Sequence, residues 1–308
     1  MTEDIDGTTG TVGSIDGLLV VDKPAGMTSH DVVAQVRRLV GTRRVGHAGT
    51  LDPMATGVLV LGLGRATRLL GYLGGTEKCY LATIRLGQAS STDDADGEIT
   101  QRADAGRLTE EQVRTAMGRF VGTIEQVPST YSAVKVAGRR AYARARDGEH
   151  VELAPRTVTV SQFSLRRVAG RQAGGPVLDV DVEVRCSAGT YVRALARDLG
   201  SALGVGGHLV ALRRTRVGSF ELTRARPLAD LVVARDLVPV EVAAAEAFPV
   251  RRLDAAAALA LSHGRTLPAI GLGPGPVAAI DPDGTLVALL VESGPLARPL
   301  AVLAPAGQ

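Results

Sequence analysis

Tryptophan is absent from the 308 residues, and four Phe and five Tyr are all the large aromatics present. Aromatic surface is scarce, so a tyrosine beside charged residues stands out. Cysteine is nearly absent as well. Cys79 and Cys186 lie too far apart in the chain to form a disulfide scaffold, and a reducing cytoplasm is the expected compartment. No apolar run reaches the ~18 residues of a membrane span. The most hydrophobic, Val58–Leu63 and Leu286–Val291, are strand-length, and the acidic start MTEDIDGTTG has no apolar stretch of a secretory signal. The five histidines (His30, His47, His150, His208, His263) show neither HxxxH nor HExxH spacing, and CxxC is missing, so no metal is expected. GxSxG, GKS/GKT and kinase motifs are missing too. Gly62-Leu63-Gly64-Arg65-Ala66-Thr67 mimics a dinucleotide fingerprint, but Thr67 takes the third glycine position and Glu77 precedes the next strand. A tight strand-to-helix turn explains it, and no cofactor is expected.

An excess of either charge is also missing: 35 Lys+Arg face 32 Asp+Glu, a net charge of +3. The placement is uneven. Lys135, Arg139, Arg140, Arg144 and Arg146 form a run without an acid. Arg213, Arg214, Arg216, Arg224 and Arg226 form a second against Glu221 alone, whereas residues 255–308 carry a net −1. Clustered cations of this kind suit a phosphate-tracking surface, although solvated helix faces give the same pattern.

Length and composition (45% hydrophobic, 22% charged) describe a folded globular chain of about two domains. Residues 1–15 read as a loose tail. Strands are expected at Gly17–Asp22, Val58–Gly64, Lys78–Leu86 and Val177–Cys186, the last alternating strictly. Helices are expected from a cap at Ser29 to Gly41, from a capping box at Thr109 and Gln112, and over Tyr191–Leu203. Residues 42–57 read as a polar Gly/Thr/Pro-rich loop, and Asp93, Asp94, Asp96 and Glu98 as a solvated turn. Strands and helices mix without a βαβ rhythm, which favours a mixed sheet over a doubly wound parallel one. From about residue 249 the composition turns Ala-rich and then apolar around a DG turn, which marks a small β-rich module.

Two constellations carry chemistry. In RRVGHAGTLDPMATG, Asp52 sits among glycines at the edge of an expected strand, where another molecule can approach. In GTYVR, Arg193 opens a helix and could hold such a carboxylate ionised. With GLLVVDKPAGMTSHDVV, KCYLATIRLGQASSTDDADGE, VPSTYSAVKVAGRRAYARAR and CSAGTYVRALARDLG, in this order, these blocks closely resemble the TruB family of pseudouridine synthases from about Gly17 to Phe220.

The resemblance implies an α+β fold with a mixed, mostly antiparallel sheet flanked by helices, over residues 16–248, and a small PUA-like module over 249–308. It implies isomerisation of uridine 55 in the tRNA T-loop without cofactor or metal; no membrane or protein partner is expected, and with no exposed heptads or interface stripe the chain is expected to be a monomer. On this basis Asp52 is the catalytic nucleophile and Arg193 its partner. Tyr80 stacks on the flipped base, His47 takes the base's place in the RNA, and Tyr191 and Leu212 line the pocket. Lys135, Arg139 and Arg140, in an RNA-clamping insertion at about 124–148, would meet T-arm phosphates. Because the C-terminal segment is short and acidic on balance, its deletion is expected to weaken tRNA binding only modestly. Two other readings stand beside this one: a guide-RNA-dependent synthase acting on ribosomal RNA, and a non-catalytic RNA-binding tRNA folding factor.

Overall fold

The computed structural model describes residues 15–130, 135–136, 139–140, 153–171 and 176–306. Strand β1 (Gly17–Lys23) is buried along nearly its whole length. Helix α1 (Ser29–Val40) follows, and its cap is Thr28 rather than Ser29. Thr28 Oγ1 accepts from the Asp31 N–H at 3.1 Å while Asp31 Oδ2 accepts from the Thr28 N–H at 2.8 Å, a capping box. The Ser29 hydroxyl is committed elsewhere: it accepts from Leu51 N–H at 2.9 Å and donates to Leu51 C=O at 3.2 Å.

Part of the expected 42–57 loop is a strand, β2 (Val45–Ala48), which pairs antiparallel with β3 (Thr56–Leu63). Glycines at 46 and 49 hide it from a propensity reading, and pairing with β3 supplies what propensity lacks. Helix α2 (Leu70–Gly74) leads into β4 (Lys78–Leu86), α3 (Glu110–Gly118) into β5 (Gly122–Gln126), β6 (Arg156–Arg171) and β7 (Leu178–Cys186). The alternation of β7 is as read, with Val180, Val182, Val184 and Cys186 buried. Helix α4 (Val192–Ala202) and strand β8 (Gly207–Val217) complete the main unit. The sheet runs β1-β3-β8-β4-β7-β6-β5. All these neighbours are antiparallel except β3 and β8, which touch in parallel only at Thr56–Gly57 against Arg213–Arg214. Beyond that contact β2 takes over the same edge of β3, at Val60–Leu63. The sheet therefore splits, and the 49–55 loop stands at the split.

The second unit is the expected β-rich module. Strands β9 (Val250–Arg252), β10 (Leu267–Pro268), β11 (Val277–Ile280), β12 (Leu286–Ser293) and β13 (Leu296–Val302) form a sheet ordered β9-β11-β12-β13-β10. It is not a free appendage. Leu18, Val20, Val58 and Val60 of β1 and β3 share one buried cluster with helix α5 (Val240–Ala247) and with Ala278, Ile280, Leu286 and Leu289. At ~1.5–3 kcal/mol for each large side chain kept from water, deleting residues 250–308 would uncover the back of the main sheet. To the modest loss of tRNA binding expected from the sequence, the fold adds a cost in stability.

The β3–β8 contact is tight. Gly57 has φ +101°, and a Cβ there would lie 2.1 Å from the Arg214 carbonyl oxygen. Gly57→Ala is expected to cost at least ~3 kcal/mol in equilibrium denaturant unfolding, since it adds both a backbone clash and a disfavoured φ. An unfolding free energy within ~1 kcal/mol of the parent would contradict this packing.

Candidate active site

The backbone around Asp52 is held from several sides before any ligand arrives. Ser29 pins Leu51 through both of its backbone groups. The Gly26 N–H donates to Pro53 C=O at 2.8 Å, and Lys23 Nζ donates to Pro24, Met27 and Pro53 carbonyls at 2.9, 2.6 and 3.2 Å. Arg214, 1% exposed, fills the split in the sheet. Its Nε donates to Val58 C=O at 2.7 Å and its terminal nitrogens to Gly49 and Thr50 carbonyls at 3.0 and 3.4 Å. Such bonds from a cation stabilise more than neutral ones, which makes for a rigid loop.

On this loop Asp52 meets Arg193, the second residue of α4. Arg193 Nη2 donates to Asp52 Oδ1 at 3.2 Å, and Nε lies 3.0 Å from Oδ2. The sequence reading paired these residues, and the geometry brings them together. It missed the third member. Arg193 also touches Asp94 Oδ2 at 3.2 Å and donates to Thr92 C=O at 3.0 Å. Asp94 is buried, and its Oδ1 accepts from the Asp96 N–H at 3.1 Å and from the Thr92 hydroxyl. Asp96 and Glu98 are exposed, as expected of a solvated turn, but Asp94 is a buried anchor. Asp93 belongs to it too, at φ +61° and with its carboxylate 3.1 Å from Arg197.

Asp52 lines a pocket of about 250 Å³ with Tyr80, Tyr191, Arg193 and Leu212, and Lys78 and Arg214 form a further part of its wall. Tyr80 comes from β4 and Leu212 from β8, on neighbouring strands. Tyr191 is fixed through its backbone by Gln126, a buried residue the sequence reading passed over. The Tyr191 N–H donates to Gln126 Oε1 at 2.8 Å, and Gln126 Nε2 donates back to Tyr191 C=O at 3.1 Å. His47 is not part of this wall: it sits half-buried on β2, edge-on to His30 at 5.4 Å. For Lys135, Arg139 and Arg140 the structure gives only two short paired strands, and their side chains lie outside the described residues. No group of three or more His, Cys, Asp or Glu is placed to hold a metal among the described residues. No helix among them is long and apolar enough to cross a membrane.

Burial is the strongest influence on most of these groups. It raises the Asp52 carboxyl, against the pull of Arg193, and the nearby Asp94 charge raises it further. It also raises the Tyr80 phenol. It lowers Lys23 and Lys78 to about 8 each, and lowers His47 with help from His30.

The model of the TruB family pseudouridylate synthase N-terminal domain matches residues 37–192. The chain belongs to the TruB family. Two further models of that family's synthases, both C-terminal, match residues 193–244 and 248–304. Among curated relatives, tRNA pseudouridine synthase B of Rhodococcus jostii is 58% identical over 96% of both chains. That of Arthrobacter sp. is 54% identical over 96% of this chain and 98% of its own. Among solved structures, a Cbf5-Nop10-Gar1 complex superimposes with a TM-score of 0.71 at 30% identity, covering 94% of this chain and 85% of the other. An H/ACA RNP bound to a substrate RNA containing 2'-deoxyuridine gives 0.69 at 27% identity, over 94% and 86%.

The electrostatics of this TruB-family site are testable directly. Carbon-detected NMR of the Asp52 carboxyl is expected to give a midpoint above the usual 3.8, and Asp94→Asn is expected to move it down. The native carboxyl then binds its proton more tightly than the unfolded one. Its contribution to stability therefore falls as pH rises from the unfolded value through the native one. A midpoint at or below 3.8 in the parent would refute this account of the site.

Proposed function

We propose that this chain isomerises uridine 55 in the tRNA T-loop to pseudouridine, acting as a single chain in the cytoplasm. The observation that carries this reading is Asp52, held against the nearly buried Arg193 and open to a nucleoside-sized pocket between two tyrosines. The naming of the curated relatives supports a tRNA substrate. Two free, buried cysteines are in keeping with a reducing compartment.

The reaction breaks the N1–C1′ bond, turns the base and forms a C5–C1′ bond. Substrate and product are isomers, so the step consumes no external redox equivalents. Asp52 acts as the nucleophile or charge stabiliser beside the sugar, and Arg193 keeps it ionised against its burial. A base stacked in a folded T-loop is out of reach and is flipped out at a cost of a few kcal/mol. Stacking on Tyr80 returns ~1–3 kcal/mol, with Tyr191 and Leu212 closing the pocket. His47, outside the pocket on β2, fills the place the base leaves in the RNA. Lys135, Arg139 and Arg140 in the clamping insertion contact T-arm phosphates.

The superimposable structures include H/ACA particles, which keeps a guide-dependent reaction in view. The higher identity to tRNA pseudouridine synthase B favours the stand-alone reading. Tritium release from unmodified tRNA transcript labelled as [5-³H]uridine separates the readings, with no metal or cofactor added. The parent is expected to release tritium stoichiometrically with the target uridine. Asp52→Asn is expected to bind the transcript and release tritium at least ~1,000-fold more slowly. An inert parent that binds tRNA would favour the guide-dependent or folding-factor reading.

A further inference from the structure

Lys78 is a cation of the pocket wall whose chemistry the reaction above leaves unused. It lies two residues before Tyr80 on β4, so both side chains project to the same face of the sheet. Lys78 is 6% exposed, yet the acceptors recorded for its Nζ are two neutral carbonyls, Gly74 and Thr76, both at 2.8 Å. Among the described residues, no carboxylate lies within ion-pair distance of it. A buried ammonium without a counter-charge is costly, and desolvation has lowered its pKa to about 8. Two carbonyls take two of its three N–H bonds and leave one donor.

Arg214, the neighbouring cation, is differently employed. Its guanidinium is committed to the Val58, Gly49 and Thr50 carbonyls that shape the loop. Gly49 also leaves room beside both cations, since a Cβ there would meet Lys78 Cε at 3.4 Å and Arg214 Nη1 at 3.6 Å. The pocket therefore offers a carboxylate on the 49–55 loop and an ammonium on β4.

That charge pattern matches the bond to be broken. When N1–C1′ cleaves heterolytically, the bonding pair leaves with the base and C1′ becomes electron-poor. Negative charge then spreads over N1, O2 and O4 of the base until C5 bonds to C1′. C5 subsequently gives up its proton and N1 takes one, which returns the neutral isomer. Asp52 answers the positive sugar, but nothing assigned so far answers the negative base.

We propose that Lys78 is a further catalytic group, whose ammonium touches a uracil carbonyl oxygen and stabilises the anionic base released during isomerisation. The assignment rests on the pseudouridine synthase reading above.

The test compares T-arm RNAs carrying uridine or 5-fluorouridine at the target position, under single-turnover conditions with saturating enzyme. Loss of the starting nucleoside is followed by chromatography and mass. Fluorine withdraws electrons and stabilises the base anion by itself, so that substrate needs the ammonium less. Lys78→Met is expected to slow rearrangement of uridine about 100-fold with RNA affinity little changed. The penalty on 5-fluorouridine is expected to be about tenfold smaller. Lys78→Arg, which keeps a cation on that wall, is expected to fall between Met and the parent on uridine. Each ratio is taken within one enzyme preparation, so a partly misfolded variant does not distort it. Equal penalties on the two substrates, parent-like turnover by Lys78→Met, or an Arg variant as slow as Met would overturn the assignment. An inert parent would instead overturn the functional reading on which it rests.

Discussion

Arg193 is 4% exposed, and its guanidinium touches carboxylates from two segments remote from it in the chain, Asp52 and Asp94. Removing one such cation from water costs several kcal/mol unless its partners are placed well. Here the two partners differ in kind. Asp94 is itself buried and supplied with donors from Thr92 and Asp96, so its charge is spent on holding the arginine. Asp52 keeps 35% of its side-chain surface open. One carboxylate fixes the cation, and the cation then presents the other. Two acids and one base leave the group a net negative charge whose accessible part is at the pocket. Helix α4, the 49–55 loop and the 91–97 turn are all placed by this contact.

The same logic of one committed and one available charge recurs across the sheet. Arg214 sits where β3 leaves β8 for β2 and satisfies carbonyls that the split would otherwise orphan inside the protein. A cation can do this only if the strands meet closely, which is why position 57 has no side chain. Lys23 does similar work under Pro53 with its three carbonyl acceptors. Lys78, with its acceptors only at the α2–β4 turn, is the exception.

What was legible in the sequence was local or carried in motif blocks. The alternation of β7 and the capping box at Thr109 follow from neighbours two to four residues away, and both are found. Asp52 and Arg193 stand in blocks specific enough to mark the family and, through it, their pairing. Asp94 was lost because its burial depends on an arginine about a hundred residues later, while its own neighbourhood reads as polar turn. Ser29 and Gln126 were lost for the same reason: each spends its side chain on a backbone far away in sequence. His47 stands in the same block as Asp52 but off the pocket wall, because β2 ends between them and the chain turns at Gly49; the place in the RNA expected for it makes no demand on that wall.

Distance in sequence also hides what the C-terminal module does for the site. Its acidic balance and apolar content argued for a minor accessory. In the fold, Ala278, Ile280, Leu286 and Leu289 pack with Leu18, Val20, Val58 and Val60 on the opposite face of β1 and β3. Those two strands carry Lys23 and the end of the Asp52 loop. Tyr72 Oη donates to Leu300 C=O at 3.2 Å, and Arg68 donates to Val302 C=O, tying the module to the segment that leads into Lys78. An apolar composition is what this task needs, since the work is done by buried area rather than by charge. The module thus supports the strand ends behind the pocket.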